Sequence, residues 1–456
     1  MEISIGEIVK CTNGQLIKGN TEEEIRRIST DSRDIKENDM FIALIGENFD
    51  GHKFLKPAVN KGAKTLLVSE YENHIEGVTI IKVEDTLKAM QQIAKYYISK
   101  FDILKVAVTG STGKTTTKDM IYNVLSKKYK VLKNKGNFNN HIGLPKTVFE
   151  LDSTYEACIL EMGMSGFDEI DLLANIVRPH IGVITNVGLS HIERLGSQEN
   201  ICRAKMEIKN YFNENNTLIL NGDDKFLCEE KGEKYNVVKV GLNPKSQLKG
   251  EIKKDLHKDG IIFNVTYEDK DYEFRLNVAG IHNVYNALNG IMVGIIGNVP
   301  MDKIKEAISE FESGKMRLNI KENGEILIID DTYNASPDSM EAGINVLKNI
   351  GKNRKIAILG DMLEMGEYAK NAHYNIGHRV SEENIDILIA VGNDALHYKT
   401  GAMGNGMDSN RTFFFKTNQE VIKFLKDFVK EDDTFLIKGS RGMKMEELVK
   451  YLQERR

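Results

Sequence analysis

The chain has 456 residues, 41% of them hydrophobic and 28% charged, with a formal net charge of -5. At roughly 150 residues per domain this length predicts about three domains of an ordinary globular protein. Its lysines are interspersed with acids, so the one-sided basic footprint of a nucleic-acid binder is missing and nucleic acid is not an expected partner.

The opening Met1-Glu-Ile-Ser-Ile-Gly-Glu7 lacks a basic segment followed by an apolar core, and no apolar run reaches bilayer length. The expectation is a cytoplasmic protein that does not span a membrane and works as a monomer. Cys11, Cys158, Cys202 and Cys228 are widely spaced without a Cys-x-x-Cys pair, which fits reduced, packed thiols.

Residues 1–100 read as a small α/β domain, with strands at 40–44 and 65–68, a helical stretch at 52–60 and an amphipathic helix at 86–99 that closes the unit. The polar turn Lys100 to Asp102 marks a boundary.

A central domain, 101–314, opens on Val106-Ala-Val-Thr-Gly-Ser-Thr-Gly-Lys-Thr-Thr-Thr117. This run is an apolar strand, a glycine loop and a helix start in the order that binding a nucleoside triphosphate requires. Gly110, Ser111, Thr112 and Gly113 let the backbone approach phosphates, Lys114 supplies an ammonium, and the Thr115 and Thr116 hydroxyls stand at the helix start, Thr115 for Mg2+. The usual loop has its first glycine at the position of Val108, so the short Gly-x-x-Gly-Lys-Thr argues against an ordinary GTPase. The apolar strands 157–160 and 181–184 alternate with helical segments, predicting a mostly parallel sheet, and 261–278 predicts a marginal hairpin.

The last domain, 315–456, repeats strand then helix, with strands expected at 326–329, 356–359, 387–391 and 434–437 in a Rossmann-like sheet. Its start is placed after Phe311-Glu-Ser-Gly314, where a helical pattern stops.

Several strand ends carry chemistry-bearing residues. Glu161 follows one apolar strand and reads equally as a Mg2+ ligand or a solvated glutamate. His191, in Thr185-Asn-Val-Gly-Leu-Ser-His191, reaches toward the same sheet edge or is a surface residue. Lys205 falls on the apolar side of a helix capped by Ser197, where snorkelling to solvent is the expected behaviour. Asp330, Asp331, Tyr333 and Asn334 suit ribose or metal recognition or else a turn, and Lys438-Gly-Ser-Arg441 suits an anion or a solvated basic turn.

Taken together, Thr109-Gly-Ser-Thr-Gly-Lys-Thr-Thr116, Glu161-Met-Gly163, Thr185-Asn-Val-Gly188 with His191, Ala204-Lys205, Gly280-Ile-His-Asn-Val-Tyr-Asn-Ala287, Met316-Arg-Leu318 and Lys438-Gly-Ser-Arg441 resemble the Mur ligases of bacterial cell-wall synthesis. Within that family, Asp330-Asp-Thr-Tyr-Asn-Ala-Ser-Pro-Asp-Ser-Met340, Leu359-Gly-Asp-Met-Leu-Glu-Met-Gly366 and Asn137-Phe-Asn-Asn-His-Ile-Gly-Leu-Pro145 look like the member that adds D-alanyl-D-alanine to UDP-N-acetylmuramoyl-tripeptide. The alternatives are the sister ligase adding the third amino acid, which when specific for diaminopimelate carries an Asp-Asn-Pro-Arg tetrapeptide not found here, a phosphate-loop kinase, and a non-catalytic nucleotide binder.

The resemblance implies ATP and Mg2+ as cofactors and an acyl-phosphate intermediate. It implies that Lys114 binds the terminal phosphates, that Thr115 and Glu161 hold one Mg2+, and that His191 and a carbamylated Lys205 serve a second. Asn283 and Asn286 would lie at the adenine side, with Arg317 and Asp331 closing over phosphates and ribose from the last domain. Thr30-Asp-Ser-Arg33, Phe41-Ile-Ala-Leu-Ile-Gly46 and Asp50-Gly-His52 resemble a uridine-nucleotide-binding domain, so Ser32, Arg33 and Gly46, with Asn137 and Asn140, are expected on the UDP-linked substrate. Asp361, Lys438, Ser440 and Arg441 are assigned to the dipeptide from their place in the last domain alone.

Overall fold

Short β-branched runs between glycine and polar turns form the strands of three main sheets in the computed structural model, which describes residues 1–71 and 75–455. The first sheet orders Gln15–Lys18, Thr79–Lys82, Thr65–Val68, Met40–Ile42 and Ile28–Ser29, parallel except for the first pair. Helix Thr86–Ser99 is started by Asp85, whose carboxylate accepts from the amides of Leu87 and Lys88. It does more than close this unit, because its buried stripe of Ala89, Met90, Ile93, Ala94 and Tyr97 also packs toward helices Gly143–Val148 and Glu169–Val177. The Tyr97 hydroxyl donates to the Leu151 carbonyl at 2.8 Å, fastening the first sheet's helix to the central unit.

The central sheet has nine strands in the order Val131–Lys133, Ala157–Glu161, Leu104–Thr109, Ile181–Ile184, Thr217–Asn221, Asn236–Gly241, Leu248–Asp255, Ile261–Tyr267 and Lys270–Leu276. The first seven pair in parallel, and the expected hairpin adds the last two antiparallel at the margin. Ala157–Glu161 and Ile181–Ile184 are buried along their whole length, as a sheet covered on both faces demands.

The last sheet orders Asn319–Asn323, Ile326–Asp331, Thr434–Lys438, Lys355–Gly360, Ile387–Val391 and Thr412–Phe415. All four expected strands are present in parallel, and Asn319–Asn323 adds an antiparallel edge. Among the described residues no helix is long and apolar enough to cross a membrane.

Candidate active site

The phosphate loop runs from strand Leu104–Thr109 to helix Lys114–Leu125. Gly110 has φ +151° and Gly113 φ +77°, and a Cβ at Gly110 would stand 1.8 Å from Thr185 Oγ1, so only glycine fits there. The neighbouring strand end clamps the loop. The Ser111 and Thr112 amides donate to the Asn186 carbonyl and side-chain oxygen at 3.1 and 3.0 Å, and Thr185 Oγ1 donates to the Thr112 carbonyl at 2.6 Å. The first-turn amides of the helix have no intrahelical acceptor and form a ready anion site.

Lys114 curls back, its ammonium donating to the Gly110 carbonyl at 2.8 Å. Burial holds that ammonium below the usual lysine value, with Glu161 opposing and Arg317 adding to the effect. The Thr115 hydroxyl donates to Glu161 Oε2 at 2.8 Å, and Asn139 donates to Glu161 Oε1 at 2.9 Å. Asn134 holds the Glu161 backbone from both sides, accepting from its amide and donating to its carbonyl. Lys118 Nζ stands 3.7 Å from the same carboxylate. Glu161 is therefore a buried, oriented acceptor and the solvated reading fails.

The last domain reaches this loop through Arg317, whose Nη2 donates to Thr115 Oγ1 at 2.9 Å while its guanidinium lies 3.9 Å from the Tyr333 ring centroid. Both neighbours of Arg317 hold left-handed conformations, Met316 at φ +64° and Leu318 at φ +47°, an uncommon backbone for side-chain-bearing residues. Asp331 accepts from the Leu318 amide and from Lys438 Nζ. Asp330, on the opposite strand face, accepts instead from Lys321 and Thr332.

A cleft of about 710 Å³ lies between the central and last domains. Ser111, Thr112, Gly113, Lys114, Thr115, Thr116, Asn137, Asn140, Glu161, His191, Asn283, Asn286, Arg317, Asp331 and Lys438 all line it. Asn283 and Asn286 belong to a chain of bonds in which Thr117 donates to Asn286, Asn286 to Asn283, and Asn283 to the Ala279 carbonyl. His191 meets Glu364 of the last domain, Nδ1 to Oε2 2.8 Å.

Other expected residues fall elsewhere. Arg33 has an 87% exposed side chain paired with Asp31, and Gly46 lies in the exposed hairpin Ile45–Gly46 with Phe49–Asp50, so with Ser32 they sit on the first domain outside the cleft. Asp361, Ser440 and Arg441 do not line the cleft. Asp361 accepts from the Asn393 amide, Ser440 from the Leu363 amide, and Arg441 pairs with Glu446, all contacts within the last domain. Lys205 corrects the snorkelling expectation: it is 1% exposed, on the buried side of helix Gln198–Met206. Burial, with the Lys114 charge adding to it, pushes its amine well below the ordinary lysine value. Asn139, Asn134, Lys118 and Glu364 receive no role from the sequence; of these Asn139 had a signal in its place inside Asn137-Phe-Asn-Asn140 and Glu364 in its place inside Leu359-Gly-Asp-Met-Leu-Glu-Met-Gly366.

Residues 108–294 match the Mur ligase middle domain, 316–441 the Mur ligase glutamate ligase domain, and 24–98 the Mur ligase catalytic domain. The chain belongs to the Mur ligase family. Among other Mur ligases it is 37% identical over 455 residues to the UDP-N-acetylmuramoyl-tripeptide--D-alanyl-D-alanine ligase of Bacillus subtilis, covering 99% of this chain and 98% of that one. The corresponding ligase of Synechocystis is 34% identical, covering 95% and 93%. The crystal structure of MurF from Acinetobacter baumannii superposes with a TM-score of 0.92 at 30% identity, covering 100% and 99% of the two chains. MurF ligase from Thermotoga maritima in complex with ADP superposes with a TM-score of 0.84 at 28% identity, covering 94% and 97%.

Proposed function

We propose that this Mur ligase joins D-alanyl-D-alanine to UDP-N-acetylmuramoyl-tripeptide with ATP, forming the UDP-linked pentapeptide of peptidoglycan precursor synthesis. The observation that carries this is the end-to-end 37% identity to a ligase of that activity. A phosphate loop facing an arginine from the last domain supports it.

ATP passes its terminal phosphoryl group to the tripeptide carboxylate, giving an acyl phosphate and ADP. The dipeptide amine then adds to the carbonyl carbon, and the tetrahedral intermediate expels phosphate. Negative charge builds first on phosphoryl oxygens and then on the carbonyl oxygen, so the protein's work is positioning and electrostatic stabilisation. In this reading Lys114 leaves the Gly110 carbonyl for the terminal phosphates, and Arg317 adds a second cation from the last domain. The loop Gly110 to Thr116 holds the phosphates, Asn283 and Asn286 face adenine, and Asp331 faces the ribose. Ser32, Arg33 and Gly46 take the uridine nucleotide, while Asn137 and Asn140 take the peptide arm.

Among the described residues no group of three or more His, Cys, Asp or Glu side chains could hold a metal by itself. Paired oxygens of Thr115 and Glu161 fit Mg2+, which keeps few protein ligands and completes its shell with phosphates and water. Bound there, Mg2+ would offset phosphate charge. His191 and Lys205 are assigned to a second cation. A buried neutral amine is the form that adds CO2, releasing a proton and leaving a carbamate, whose oxygens attract a cation that an ammonium repels. The units 1–100, 101–314 and 315–456 are read as UDP-substrate, ATP and closing domains of a cytoplasmic monomer.

The test is phosphate release from ATP with UDP-N-acetylmuramoyl-tripeptide, with and without D-alanyl-D-alanine. Dipeptide-dependent release is expected. Release indifferent to the dipeptide, but appearing with lysine or diaminopimelate and the UDP-linked dipeptide, would assign the chain to the sister ligase.

A further inference from the structure

The loop after strand Lys355–Gly360 leaves the last domain and meets the short helix Ile192–Leu195 of the central one. At that meeting His191 Nδ1 lies 2.8 Å from Glu364 Oε2. Both residues hold left-handed backbone conformations, His191 at φ +66° and Glu364 at φ +61°, which persist in side-chain-bearing residues only where the surroundings enforce them.

Those surroundings are on both sides. Within the last domain the Met362 amide donates to His373 Nε2 at 3.0 Å, and the Leu363 amide to Ser440 Oγ at 2.9 Å. Across the boundary the Tyr368 hydroxyl donates to the Gly196 carbonyl at 2.9 Å, and a Cβ at Gly366 would stand 2.9 Å from Glu193 Cγ. Glu364 is thus delivered to His191 by a fixed loop, although its own side chain is 63% exposed.

An ionised carboxylate only accepts hydrogen bonds, so the proton on this side of the ring belongs to Nδ1. In a neutral imidazole the lone pair then sits on Nε2, the arrangement in which a partnered histidine offers one defined nitrogen to a ligand. The carboxylate comes from the last domain, so the pairing requires that domain to lie against the central one as it does here.

We propose that Glu364 is a positioning residue for His191, fixing its tautomer and ring orientation on domain closure so that Nε2 is ready for the reaction. This rests on the ligase reading above. Full-length protein saturated with ADP, with 15N-labelled histidine, reports the tautomer; His191→Asn identifies the resonance. The wild type should carry its proton on Nδ1. Glu364→Ala should mix the tautomers, and Glu364→Gln, whose amide oxygen still accepts, should restore the wild-type form. Turnover by Glu364→Ala should fall about 10- to 100-fold, with KM for the dipeptide unchanged and a smaller loss in Glu364→Gln. A wild-type tautomer in Glu364→Ala, equal tautomer mixing in both variants, or unchanged turnover overturns the proposal. The tautomer measurement needs neither tripeptide nor dipeptide, so it stands or falls separately from the substrate assignment.

Discussion

The Arg317 guanidinium donates to the Thr115 hydroxyl at 2.9 Å, joining residues 202 positions apart across the domain boundary. Thr115 in turn donates to Glu161, so one hydroxyl relays contact from the last domain to the central sheet. In the proposed reaction, a cation held over the phosphate loop by stacking on Tyr333 would be a preorganised donor for the transferring phosphoryl oxygens. Arg317→Ala should lower kcat by about 100- to 1,000-fold. Arg317→Lys should recover little, because an ammonium neither stacks as a plane nor reaches in a fork. Steady-state kinetics on both variants checks this; equal rescue by lysine would reduce Arg317 to a point charge.

Glu161 accepts from Thr115 and Asn139 with separate oxygens. In Glu161→Gln the shape survives but one oxygen becomes an NH2 facing a donor, and the charge is gone. Activity should drop by about 100-fold or more, with a higher Mg2+ requirement, while the protein stays folded. A Mg2+ titration of ATP turnover against the thermal melting curve separates the two effects. An unchanged Mg2+ requirement would remove Glu161 from the cation site.

Much of this was legible because strand ends carry it. Val106 to Thr117 announces strand, loop and helix, and Ile326 to Ile329 has the continuous apolar signature of a doubly covered strand. Leu248–Asp255 was hidden, since three lysines and two acids in a partly exposed strand give little apolar signal. Val131–Lys133 was too short to stand out from its flanks. Lys205 was misjudged because snorkelling is the default for a lysine on an apolar face, and only packing by the whole domain removes its route to solvent. Glu364 was invisible as a partner of His191, since 173 residues and a domain boundary separate them.

His282 offers a pH test. Burial pushes its pKa from 6.5 to about 4, with Asp331 opposing and Lys438 reinforcing. Between those values the unfolded chain holds a proton that the folded chain refuses, so stability falls as the pH drops from 6.5 toward 4, by up to about 3 kcal/mol. Denaturant unfolding at pH 7.5 and 4.5 should show the wild type losing more stability than His282→Asn over that interval. Equal losses would mean the folded imidazole takes up its proton freely.

Lys205 makes opposite predictions for stability and activity. Its amine is buried beside the Lys114 charge and titrates well below 10.5. Below 10.5 the unfolded lysine is protonated while the folded one resists protonation, so in CO2-free buffer wild-type stability should rise with pH until the unfolded lysine titrates. Lys205→Met escapes that penalty. It should melt above the wild type at pH 7, with the gap narrowing toward pH 10, and should be inactive. Lys205→Ala should be inactive as well, but leaves space for acetate or another short-chain carboxylate, which should restore part of its turnover if a carbamate is the working form. Wild-type enzyme stripped of CO2 should lose activity and regain it with bicarbonate. Full unassisted activity of Lys205→Ala would remove the carbamate, and a Lys205→Met melting curve matching the wild type at every pH would remove the buried neutral amine on which that carbamate depends.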